Sequence, residues 1–156
     1  MRETLKAGLA GLCISMVFAG NAIAADVAPA DVKFADDNTI AMSLTGKNGN
    51  PETGRQIMVD RKLGNCLACH ENSDMKKELF HGNVGPSLDG AGSRWNDAQL
   101  RAIVVDSKKV FTEATIMPGF YTLEVGKDPR KDLVGVTILT AEQVEDVVAY
   151  LATLKE

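Results

Sequence analysis

Apolar positions recur at helical spacing near the C-terminus. Val144, Val147, Val148 and Leu151 fall at i, i+3, i+4 and i+7, the single stripe of an amphipathic helix facing a core. Thr140-Ala141-Glu142-Gln143 opens that helix as a capping box. Glu142, Glu145 and Asp146 stand near its start and Lys155 near its end, as the helix dipole favours. A second stripe, Leu100, Ile103 and Val104, follows the capping pattern Asn96-Asp97-Ala98-Gln99 and predicts a helix to about Asp106. A third helix starts at Asn50-Pro51-Glu52, with Asn50 as cap, Pro51 at the first helical position and Glu52 against the positive end. It is predicted to run to about Leu63, with Gly64 ending it and Ile57 and Met58 inward, and to cross the C-terminal helix. The intervening stretches are less periodic. Ala25 to Asn50 reads as a solvated, loosely ordered arm, or as an arm laid on a partner subunit. Glu71 to Phe80 is charged and reads as helical or irregular, with Met75 at the surface. After the charged Glu124–Asp132 loop, Val134 to Leu139 leans towards β. A mainly α fold with a small irregular or β lobe before the C-terminal helix is therefore expected.

The N-terminus has its own pattern. Arg2 and Lys6 precede an almost wholly apolar run from Ala7 to Gly20, and Ala22-Ile23-Ala24 supplies small residues at a cleavage position. Residues 1–24 thus read as an export signal. The run is short for a membrane span, and bulky Leu12 before Cys13 argues against a lipid anchor. The expected organisation is a signal peptide at 1–24, an arm at 25–50 and one domain at 51–156. The 156 residues carry a formal net charge of −4, which gives no reason to expect nucleic acid or a polybasic membrane surface as partner. Aromatic residues make up only 5%, so a buried planar cofactor would supply apolar surface that side chains do not.

The chemistry concentrates in Cys66-Leu67-Ala68-Cys69-His70. This is the attachment signature for a c-type haem. Two thiols two residues apart add to the vinyl groups as thioethers, and the next residue binds iron through its imidazole. Zinc or a redox dithiol can also use a C-x-x-C pair. Neither fits well: no cysteine follows Cys69, only His70 and His81 are present, and a dithiol has no need of the adjacent histidine. After signal cleavage both remaining cysteines are consumed by haem and no structural disulfide is possible. Such attachment takes place outside the bacterial cytoplasmic membrane, so leader and motif agree on the periplasm.

Further candidates surround this motif. Met117 precedes Pro118-Gly119 in a loop, far enough beyond His70 to reach the other face of a haem. A thioether there raises the potential and suits electron transfer, although methionine is also a common core filler. His81 is an alternative axial ligand, and Met58 a remote one. The carbonyl of Pro86, in Gly85-Pro86-Ser87-Leu88, is the candidate acceptor for the free N–H of His70, because proline fixes where that oxygen points. Trp95 packs on haem or in the core, and Arg94 reaches a propionate or stays exposed. No nucleophile–base pair or phosphate loop is present, and no catalytic residue is assigned.

Four segments in order, Asn65–His70, Gly82–Leu88, Met117-Pro118 and Ile138–Leu151, resemble SoxX, the monohaem cytochrome subunits of the SoxAX complexes of sulfur-oxidising bacteria. The resemblance spans about Pro51 to Lys155. It implies a class I cytochrome c fold, one covalent haem c, and His70 and Met117 on iron. It also implies a heterodimer with SoxA, whose own haem would be catalytic. The complex would be an L-cysteine S-thiosulfotransferase that oxidatively couples thiosulfate to a SoxYZ carrier cysteine. This chain would pass the electrons to a small soluble cytochrome. A free electron-shuttle cytochrome and a ligand-binding haem sensor are the competing expectations.

Overall fold

The computed structural model describes residues 25–124 and 126–156. The leader at 1–24 lies outside the described residues. Four α-helices form the frame: α1 (Pro51–Val59), α2 (Ala91–Arg94), α3 (Asp97–Val110) and α4 (Ala141–Thr153). Single 3-10 turns interrupt the connections, and among the described residues there is no β-strand. The Val134–Leu139 run is accordingly irregular. Its β-leaning residues have no second strand to pair with, and Val134 and Val136 are exposed.

The caps form as the sequence dictates. Asn50 accepts from the amides of Glu52 and Thr53 at α1. Asn96 with Gln99, and Thr140 with Gln143, close reciprocal capping boxes on α3 and α4. Helix α1 ends at Val59, a turn earlier than the apolar pattern suggested. Asp60 caps it, and its carbonyl accepts from the amides of Leu63 and Asn65, so residues 60–65 form a turn.

Helices α1 and α4 cross at close range. A Cβ on Gly54 would lie 1.9 Å from the Asp146 carbonyl oxygen, so this crossing admits only glycine. Val144, Val147, Val148 and Leu151 are all buried against Ile57, Met58, Leu100 and Val104 in one core.

Three sequence expectations are corrected here. Met75 is fully buried: the Asn72 side chain caps a 3-10 turn at Ser73–Met75 and turns the methionine inward. Glu145 and Asp146 are buried on α4 although they occupy its first turns. Finally, the segment before Asn50 is not a loose arm. Ile40 and Leu44 are buried, the Leu44 carbonyl accepts from the Val27 amide, and the Tyr121 hydroxyl donates 2.7 Å to the Val27 carbonyl.

A buried ion pair accounts for Glu145 and for the ordered N-terminal segment, while Asp146 accepts from the Asn50 amide at 2.6 Å. Arg101 Nε lies 2.7 Å from Glu145 Oε1, and Nη2 lies 2.9 Å from Oε2, a bidentate fork between α3 and α4. Arg101 Nη1 then donates to the Ile40 carbonyl, and the Leu44 amide donates to Glu145 Oε1. Both charges are thus paired, and their remaining hydrogen-bonding capacity secures the N-terminal segment.

Arg101→Met should destabilise the protein by about 3–5 kcal/mol, because it leaves the Glu145 carboxylate buried without its partner. Urea unfolding measures the loss. Adding Glu145→Leu to Arg101→Met should recover a substantial part of it, since an apolar pair replaces the orphaned charge.

Candidate haem site

The haem motif lies directly after the α1 turn. Asn65 takes a left-handed backbone conformation (φ 48°), and Cys66–Ala68 then forms a 3-10 turn. The amides of Cys69 and His70 both donate to the Cys66 carbonyl. Cys66 is half-buried and Cys69 is exposed.

Residues 82–88 lie alongside this segment and run in the same direction. The Gly82 amide donates to the Leu67 carbonyl, Gly85 to Cys69 and Leu88 to Glu71, at 2.8, 2.8 and 2.9 Å. The path is tight enough to exclude side chains twice. A Cβ on Gly82 would lie 2.1 Å from the Ala68 oxygen, and one on Gly85 would lie 2.3 Å from His70 Cε1. Beside Gly85, the Pro86 carbonyl stands 2.7 Å from His70 Nδ1. A carbonyl only accepts, so Nδ1 carries the proton and Nε2 is left with its lone pair free for a metal. Arg94 holds the far end of the loop through the carbonyls of Asp89 and Ser87. Arg94 is exposed, one of the two placements expected from the sequence.

His81 is engaged elsewhere. Its Nδ1 accepts from the Asn72 amide, and its Nε2 donates to the Met75 carbonyl, each at 3.2 Å. With both ring nitrogens bonded to the main chain, His81 has no lone pair to offer iron. Asn72 is itself fully buried, and its side-chain amide donates 3.0 Å to the Tyr150 hydroxyl, which donates 2.8 Å to Asp74. Burial and the Asp74 contact hold that phenol well above its usual range. This network joins α4 to the residues just after His70, and nothing in the local sequence announced it.

Met117 approaches from the other end of the chain. Together with Cys66 and His70 it lines one crevice, walled otherwise by Met58, Leu88, Val104, Phe120, Leu139, Val147 and Leu151. The crevice opens to solvent and its lining is mainly apolar, as cofactor sites commonly are. Trp95 does not line it; its ring packs edge-on against Phe111 at 6.4 Å.

The arrangement fits a haem c. The walls are apolar, as a porphyrin face requires. Cys66 stands at the wall where a thioether would form. The nitrogen and sulfur donors, imidazole and methionine, are those that suit a low-spin iron working in electron transfer. Among the described residues no cluster of acidic, histidine and cysteine side chains offers a different metal site.

An α-helical crevice built on C-x-x-C-H defines a c-type cytochrome, and the known proteins agree. The sequence matches the cytochrome c family over residues 51–155. A chain in the crystal structure of SoxXA from P. pantotrophus is 44% identical, with a TM-score of 0.79, and the match covers 85% of this chain and 100% of that one. No curated protein matches. The chain belongs to the cytochrome c family and, within it, to the SoxX cytochromes; it carries covalently bound haem c.

Gly85→Ala should displace the imidazole, because its methyl group would overlap the ring. The expected cost is about 1–3 kcal/mol, as for other overpacked sites. Thermal unfolding of the holoprotein measures it. A visible spectrum in which the haem absorption is unchanged, with unaltered stability, would refute the close packing.

Proposed function

We propose that this chain is the electron-transfer subunit of a periplasmic SoxAX complex, an L-cysteine S-thiosulfotransferase. In that complex SoxA would carry the catalytic haem and couple thiosulfate oxidatively to a cysteine of the SoxYZ carrier. This chain would take the released electrons and relay them to a small soluble cytochrome. The observation that carries the reading is the joint presence of Cys66, His70 and Met117 on one apolar crevice. The 44% identity to a chain of the SoxXA structure directs it to sulfur oxidation. The domain would comprise 51–156, preceded by the segment 25–50 and a cleaved leader at 1–24. After that cleavage no contact with a membrane or with nucleic acid is expected.

The roles within the chain follow from position. Cys66 and Cys69 would form the two thioethers, and His70 and Met117 would be the axial ligands. When bound, the haem supplies a site that gains and loses one electron. Pro86 holds the imidazole of His70 in a single tautomer by accepting from Nδ1. That hydrogen bond lends electron density to the ring and makes it a stronger donor. The apolar side chains of Leu88, Val104 and Leu139 exclude water from the crevice, which limits reorganisation when the charge changes.

A subunit, rather than a free shuttle, is supported by the surface near the site. Val84, in the Pro86 loop, is 63% exposed, and Ile116, beside Met117, is 79% exposed. A shuttle favours charge around its haem edge, whereas a permanent partner covers apolar side chains.

Met117→Ala should lower the reduction potential and abolish the weak far-red band of methionine bound to ferric iron. An unchanged potential and band would overturn the ligand assignment. Affinity purification from the periplasm should recover a second cytochrome at equal stoichiometry, and a lone monomer with full native activity would sink the subunit reading.

A further inference from the structure

Helix α3 is broken one turn before its end. Asp106 has φ −155° and ψ 90°, so the helix runs to Val105 and restarts at Ser107. The Asp106 side chain caps the restart by accepting from the Lys108 amide at 3.1 Å. The break releases two carbonyls from helical bonding, and both are used by the loop that carries Met117. The Phe120 amide donates to the Val104 oxygen at 3.0 Å and the Tyr121 amide to the Val105 oxygen at 3.2 Å. Past the break, Lys108 Nζ donates to the Thr115 carbonyl. At the centre of these contacts Ser107 is fully buried, and its hydroxyl donates 2.7 Å to the carbonyl of Met117 itself.

We propose that Ser107 is a positioning residue for the distal ligand: its hydroxyl, presented by the break at Asp106, fixes the Met117 backbone and so keeps the thioether on the iron. The inference rests on the reading of Met117 as that ligand. A carbonyl oriented by a buried hydroxyl is held in one place without help from the metal. Met117 thus has little freedom to swing out, and the unligated state is rare. Removing the hydroxyl leaves the part-buried carbonyl without its donor, an arrangement that a displaced loop relieves by reaching water. The unligated state should therefore become more populated, and any external ligand that needs it should bind with a correspondingly smaller apparent Kd.

The test uses the ferric holoprotein and imidazole as the external ligand. Ser107→Ala should bind imidazole about tenfold more tightly than the wild type, as expected from the loss of one buried hydrogen bond, and should lose the far-red band at lower imidazole. Ser107→Thr, which keeps the hydroxyl, should restore both where it folds to wild-type stability. Tyr150→Phe supplies a comparison, because it deletes a hydrogen bond on the His70 side. If it raises imidazole affinity as much as Ser107→Ala, the effect is general loosening and the proposal fails. Wild-type imidazole affinity in Ser107→Ala also overturns it. A far-red band that survives in Met117→Ala instead overturns the ligand reading beneath it, so the two failures are distinct.

Discussion

The structure depends on how closely α1 can approach α4. Gly54 sets that distance, since its missing side chain lets one helix rest on the Asp146 carbonyl of the other. The same rows of residues that meet at this crossing, Ile57 and Met58 on one helix and Val144, Val147 and Val148 on the other, continue into the wall of the crevice. Moving the helices apart by the width of a methyl group would open that wall along its length. Packed interiors respond to such a change by shifting whole elements rather than by local accommodation.

On this frame the two sides of the crevice are built by different means. The His70 side is held by main chain against main chain, with three bonds laying residues 82–88 along residues 67–71 and glycines where the strands of chain are too close for side chains. The Met117 side is held by a deliberate fault in a helix, whose spare carbonyls become the docking points for a loop. Both solutions rely on backbone groups, which have fewer alternative positions than long side chains.

Much of this was legible in the sequence, and the reasons differ by element. The capping patterns at Asn50, Asn96 and Thr140 are local, so their hydrogen bonds follow from residues three apart. The C-x-x-C-H motif is equally local. The Pro86 carbonyl could be anticipated because proline narrows the directions available to it, and it does stand beside His70 Nδ1. What escaped reading is non-local. Glu145 looks like a dipole-complementing surface acid until Arg101 is found opposite it, 44 residues away. Met75 looks exposed among charges until Asn72 turns the chain. The break at Asp106 carries no glycine or proline to announce it, and the Ser107 hydroxyl acquires meaning only when the Met117 loop arrives. Of the two forms open to Val134–Leu139, the irregular one is found, because strand propensity has no effect without a partner strand.

The buried fork between Arg101 and Glu145 also ties the two ends of the chain together. The Leu44 amide finds its acceptor 101 residues further on, and α1 packs on α4. Helix α4 therefore serves two purposes at once: Val147 and Leu151 wall the crevice, and Glu145 anchors the N-terminal segment. Loss of that one helix would remove a wall of the site and the mooring of residues 40–44 together.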